Sequence, residues 1–152
     1  MEFIIDSVEK TLNIGFQIGT LCNEGDIICL IGDLGTGKTH MTKGIAKGLG
    51  INEHITSPTF NIVNEYDTGR LKMNHFDVYR VNDPDEIAAI GFDEYIFSNG
   101  VSIIEWANYI EELIPKEHMS IVIEKIPKNE DYRKITINYS GHRYAYVKEI
   151  KI

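Results

Sequence analysis

The chain has 152 residues, enough to bury about 68–70% of its unfolded surface, and residues 1–152 are expected to form one domain. Its net charge is −8, from 15 basic and 23 acidic side chains, so free nucleic acid meets net repulsion. No apolar run approaches the ~20 residues of a membrane span. The opening Met1–Asp6 also lacks the basic and apolar stretches of a secretion signal, and a cytoplasmic protein is expected.

Phe3–Ile5 reads as a short first strand. Asp6 and Ser7 offer an N-cap, and Val8, Leu12, Ile14, Ile18 and Leu21 recur at helical spacing to about residue 22. Asp26–Ile31 is an apolar, β-branched run of the kind that forms a buried strand. It includes Cys29, which with Cys22 makes no C-x-x-C pair, so a reduced core cysteine is expected.

Residues Gly32 to Thr39 then read Gly-Asp-Leu-Gly-Thr-Gly-Lys-Thr, a complete G-x-x-x-x-G-K-[ST] phosphate-binding loop. Its glycines let the backbone curl with N–H groups turned inward. In such a loop the Lys38 ammonium reaches the β- and γ-phosphates, and the Thr39 hydroxyl ligates Mg²⁺. Met41, Ile45, Ala46 and Leu49 predict a helix after the loop, which would set the phosphates on a helix N-terminus. His40, on the first turn, is expected to face solvent.

Ser57-Pro58-Thr59-Phe60 reads as a loop entering a strand. Its two hydroxyls either reach a metal or γ-phosphate, or belong to an ordinary hydroxyl-rich turn. Asn61–Asp67 and Leu71–Tyr79 flank the turn Thr68-Gly69-Arg70 and predict a β-hairpin. Strand alternation puts His75, Asp77 and Tyr79 on one face, with Phe76 and Val78 on the other. That polar trio is either a site or an exposed sheet face. Arg80 is either a cation for a transition state or a structural ion-pair partner. Asp83-Pro84 opens a short helix ending near Gly91.

Val101–Glu105 is a further apolar strand, and Glu105 ends it, where the second carboxylate of a P-loop site commonly sits. The competing reading of Glu105 is a solvated strand end. Trp106, the one tryptophan, is assigned to core, lid or ligand contact. A helix follows, stopped by Pro115, with Glu111-Glu112 on its solvated face. Runs near 119–126, 133–139 and 143–150 alternate and read as antiparallel strands, with turns at 128–131 and 140–142. The expected fold class is α/β, a P-loop NTPase-like mixed sheet flanked by helices, its parallel core extended by antiparallel strands.

Taken together, the Gly32–Thr39 loop, Ser57–Phe60, His75-Phe-Asp-Val-Tyr-Arg80, Gly91-Phe92 with Glu94-Tyr95, and Ile104-Glu-Trp106 resemble the TsaE (YjeE) family in order and spacing from about Ser7 to residue 140. The resemblance implies a Mg²⁺-dependent ATPase needed for tRNA N6-threonylcarbamoyladenosine synthesis beside the anticodon. It implies work with the TsaB–TsaD pair, which ATP hydrolysis resets between turnovers, with tRNA held by that complex. Carried over by position, Lys38, Asp77 and Glu105 are the catalytic candidates, and Thr39, Asp77 and Glu105 the Mg²⁺ ligands. The implied ATP contacts are Asp33, Leu34, Gly35, Thr36, Gly37, Lys38, Thr39 and His40, joined by Val8, Thr11 and Arg133. Thr36 and His40 stand where the family often has alanine and threonine, in a stretch that works through backbone N–H groups. The alternative reading is a small-molecule or nucleoside kinase built on the same loop. It lacks support from any arginine cluster, and no Asn-Lys-x-Asp guanine-reading segment is present.

Overall fold

The computed structural model describes residues 1–58, 61–79, 81 and 83–152. Among these residues seven strands form one sheet: β1 (Glu2–Ile5), β2 (Ile27–Ile31), β3 (Val63–Tyr66), β4 (Met73–Asp77), β5 (Val101–Glu105), β6 (His118–Ile126) and β7 (Asn129–Ser140). Their order across the sheet is β1-β7-β6-β2-β5-β4-β3. The pairs β2–β5, β2–β6 and β4–β5 are parallel, while β3–β4, β6–β7 and β1–β7 are antiparallel. This is the expected parallel core with antiparallel flanks.

Alternation along the central strands splits the core into two layers. Ile28 and Leu30 of β2 join Ile103 and Met73 on the face covered by α1 (Val8–Leu21) and α2 (Lys38–Gly48). Ile27 and Cys29 join Phe76, Val78 and Ile104 on the other face. That face is covered by α3 (Pro84–Ala89), α4 (Phe92–Ile96) and a 3₁₀ segment, Ala107–Leu113. Both cysteines are free and buried, and burial pushes each thiol up to about 12. Among the described residues no helix is long and apolar enough to cross a membrane.

The helix α1 begins as its sequence demands, with Ser7 Oγ accepting from the Lys10 N–H at 3.3 Å. It packs on α2 at unusually close range. A Cβ added at Gly19 would lie 2.8 Å from the Gly48 Cα and closer still to the Ile45 carbonyl oxygen. Only glycine permits that approach.

Three expectations are corrected. Residues 143–150 are not a strand; His142–Glu149 is 3₁₀ helix. Tyr144, Val147 and Ile150 are buried at every third position, the 3₁₀ period, and the aromatic residues mimic strand alternation. The helix after Glu105 is also 3₁₀, interrupted at Ile110 (φ −130°, ψ 35°). The turn expected at 128–131 is shorter, because β7 already starts at Asn129. Residues 129–132 are exposed, so their polarity reports solvent on both faces of a protruding hairpin and not a turn. The helix expected from Asp83 to near Gly91 is α3, and a further helix, α4, follows Gly91, whose φ of +85° bends the chain between the two.

The 3₁₀ segment at 142–149 is fastened by Asp26, whose carboxylate is 0% exposed. Asp26 accepts from Arg143 Nε at 2.9 Å, Tyr146 Oη at 2.8 Å and the Asn23 N–H at 2.9 Å. Beside it, the Ile27 N–H donates to Tyr144 Oη at 2.9 Å.

For an exposed helix, Gly→Ala stabilises by about 1 kcal/mol. At Gly19 the added methyl meets backbone, so Gly19→Ala is expected to destabilise by about 1–3 kcal/mol, read as a lower urea midpoint. A midpoint at or above that of the unaltered chain would refute the close-packing argument.

Candidate functional site

The loop between β2 and α2 lies at the carboxyl end of the central strand, where open α/β sheets place their ligands. Gly37 N-caps α2 with φ +113°, a conformation that a side chain would strain. A cavity of about 610 Å³ opens over this loop. It is lined by every residue from Leu34 to His40, and by Val8, Thr11, Ser57, Asp77, Glu105, Trp106 and Arg133.

Two carboxylates enter from neighbouring strands. In the parallel β4–β5 pair, Asp77 is the register partner of Glu105, so both emerge at the same level beside the loop. Glu105 is 3% exposed, so the solvated strand-end reading is overturned. His75, two residues before Asp77, is 0% exposed, and its Nε2 is 2.6 Å from Glu105 Oε2. The exposed-sheet-face reading therefore fails for His75, while Tyr79 is exposed but lies in a turn beyond the end of β4. Asp77 sits between, half-buried, with Oδ1 accepting from the Tyr79 N–H at 3.0 Å.

Lys38 is turned onto its own loop. Its Nζ donates to Gly32 O at 2.6 Å and Asp33 O at 2.9 Å. The same ammonium lies 4.2 Å from the Trp106 ring centroid, within range of a cation–π contact. Burial holds the Lys38 amine below its usual value, against the pull of Glu105, Asp77 and Asp33. Trp106 has φ +62°, the one positive value outside glycine among the described residues. Such a conformation is strained, and it is held by the Trp106 N–H donating to Leu30 O at 3.1 Å. The ring stacks against Tyr109 at 5.7 Å and packs on Tyr79 at 4.7 Å. Trp106 thus forms a wall of the cavity.

Arg133, on β7, braces the loop from the far side. Its Nε donates to Thr36 O at 3.2 Å and its Nη2 to Gly35 O at 3.3 Å. Thr11 is buried beneath the loop, and Val8 is exposed at the rim. The expectation that His40 faces solvent is corrected: it is half-buried and lines the cavity. Asp33 is exposed and lies outside the lining, though its carbonyl accepts from Lys38.

Ser57 was ambiguous from sequence, and here its Oγ lies 3.3 Å from Thr39 Oγ1. Thr59, Phe60 and Arg80 fall outside the described residues. Asp6, Ser7 and Asp131 also line the cavity. Their sequence signals were those of an N-cap and a polar turn, so nothing local marked them.

The donor set is made of hydroxyls and carboxylates, the hard oxygen ligands that suit Mg²⁺. Among the described residues no group of three or more His, Cys, Asp or Glu could hold a metal alone. A Mg²⁺ ion, which keeps near-octahedral geometry, would fit only if phosphate oxygens or waters completed its shell.

A helix-flanked mixed sheet with the Gly32–Thr39 loop at the end of its central strand, and carboxylates on the adjoining strand ends, defines a mixed α/β protein. Residues 5–135 match the family model described as "Threonylcarbamoyl adenosine biosynthesis protein TsaE". The chain belongs to the TsaE family. It is 44% identical over 141 residues to the tRNA threonylcarbamoyladenosine biosynthesis protein TsaE of Bacillus subtilis, covering 93% of this chain and 87% of that protein. It is 36% identical to the protein of the same name from Treponema pallidum, covering 90% of this chain and 99% of that one. The crystal structure of Bacillus subtilis YdiB superposes with a TM-score of 0.81 at 39% identity, over 98% of this chain and 91% of that one.

Burial, with the Glu105 charge as a lesser cause, raises the Asp77 carboxyl above its ordinary 3.8. A carboxyl that binds its proton more tightly when folded favours folding below pH 3.8 and loses that advantage as pH rises through the folded value. Asp77→Asn keeps the acceptor for Tyr79 and removes the buried charge. The nucleotide-free variant is therefore expected to melt higher than wild type at pH 7, with the gain shrinking toward pH 4. A lower melting temperature at pH 7 would show that Asp77 is stabilised in its charged form.

Proposed function

We propose that this chain is a Mg²⁺-dependent ATPase required for tRNA N6-threonylcarbamoyladenosine modification at the adenosine beside the anticodon. It acts with the TsaB–TsaD complex, in the cytoplasm, and resets that complex by hydrolysing ATP. The observation that carries the reading is the meeting of Lys38, Thr39, Asp77 and Glu105 around one cavity at the end of β2. The family membership carries the link to tRNA modification.

In this reading ATP lies along the loop with its phosphates at the N-terminus of α2, where backbone N–H groups and the helix dipole favour anions. Lys38 leaves the Gly32 and Asp33 carbonyls and donates to the β- and γ-phosphates. Arg133 keeps the loop curled through the Gly35 and Thr36 carbonyls. Val8, at the rim, and Thr11, beneath the loop, contact the nucleotide as well. Thr39, Asp77 and Glu105 would hold Mg²⁺, which supplies positive charge against the γ-phosphate. Of these, Asp77 or Glu105 orients the attacking water, since both oxygen-bearing side chains emerge at one level. An acidic chain of net charge −8 leaves the tRNA to the partner proteins.

The decisive measurement is ATP turnover with and without the TsaB–TsaD pair. Strong stimulation by the pair is expected. Phosphoryl transfer by the chain alone to an acceptor other than water would replace this reading with the kinase one. Lys38→Ala is expected to lose about 1.5–3 kcal/mol of ATP affinity, roughly ten- to a hundred-and-fifty-fold. Unchanged affinity would remove the loop from the site. Glu105→Ala should lower turnover more than nucleotide binding, whereas equal losses would make Glu105 a structural residue.

A further inference from the structure

His75 sits inside the sheet, on the face of β4 that it shares with Met73 and Asp77. Its register partner across β5 is Ile103, yet its ring reaches diagonally to the Glu105 carboxylate, 2.6 Å away. Among the described residues this is the one hydrogen bond that Glu105 makes through its side chain. The other ring nitrogen, Nδ1, is buried with no partner among the described residues. An unpaired polar atom in a sheet interior is costly, and an apolar side chain of similar size would avoid the cost. What the imidazole gains there is its contact with Glu105.

We propose that His75 is a positioning residue for Glu105. The Nε2–H donates to Oε2 and holds the carboxylate in one rotamer, leaving Oε1 to the cavity shared with Asp77 and Lys38. This rests on the ATPase reading of the site and adds to it the group that sets the geometry of its second carboxylate. A free glutamate side chain has three rotatable bonds and would spread over several rotamers. Fixed in advance, it needs no reordering when metal and water arrive. The arrangement has the form of an outer-shell hydrogen bond, in which a residue touching no ligand orients one that does.

The test compares His75→Leu, which fills the space without a donor, with His75→Gln, whose amide nitrogen reaches about as far as Nε2. Metal-free ADP affinity is expected to stay at the wild-type level in both. For His75→Leu, the kcat of ATP hydrolysis in the presence of TsaB–TsaD should fall about ten- to a hundred-fold, with KM nearly unchanged. The affinity of Mn²⁺ for the ADP complex, measured by electron paramagnetic resonance, should fall about tenfold. His75→Gln should recover most of both losses. If His75→Leu does not fold, His75→Asn takes its place, because its shorter amide falls where Nδ1 lies and cannot reach Glu105.

Wild-type kcat and Mn²⁺ affinity in the Leu or Asn variant would overturn the proposal. So would a Gln variant no better than Leu, or a parallel loss of metal-free ADP affinity. If the wild-type chain with its partners hydrolyses no ATP, the ATPase reading fails by itself, and the Mn²⁺ comparison alone decides the role of His75.

Discussion

Glu105 is a carboxylate placed almost wholly inside the protein, at the end of a strand that is itself buried, and the surroundings of the site answer to that placement. A charge out of water is costly unless other groups replace its solvent. Here the replacements come from three directions: His75 from the neighbouring strand, Lys38 from the loop, and the open side of the cavity. Each depends on the parallel register of β2, β5 and β4, since a one-residue slip would turn every one of these side chains to the opposite face. The central sheet therefore does more than supply a core. It fixes where a charge can be buried and what meets it.

The outer parts of the fold keep that register in place. The α1–α2 contact, closed by glycines, sets the height of α2 and hence of Lys38 and Thr39 at its first turn. Within the same layer of core, Asp26 ties the segment at 142–149 to the start of β2 through Arg143 and Tyr146. Trp106 joins the end of β5 to β2 through the Leu30 carbonyl, at the expense of a strained backbone. These anchors lie at both ends of the strand that leads into the phosphate loop.

Much of this could be read in the chain before any coordinates. The loop, its flanking strand and helix, the hairpin at 61–79 and the alternation around His75, Asp77 and Phe76 all follow local rules of period and turn chemistry. Glu105 was recognisable by its position after an apolar run. What was not legible depends on partners distant in sequence. His75 looked the same as Tyr79 until the pairing of β4 with β5 buried one and left the other exposed. Ser57 gained meaning only when its loop came within 3.3 Å of Thr39. The segment at 142–149 misled because two tyrosines two residues apart satisfy a strand pattern, while the burial that decides the matter has a period of three.

The contacts of Lys38 have a consequence for any anion that enters the cavity. Its ammonium is held by two carbonyls of its own loop and by the face of Trp106, so a phosphate entering the cavity must displace contacts already made. Binding is then an exchange, and its strength is a difference between two sets of partners. The same exchange runs in reverse when an anion leaves, as the loop carbonyls reclaim the lysine. In this way the loop's own carbonyls compete with any bound anion for a single positive charge.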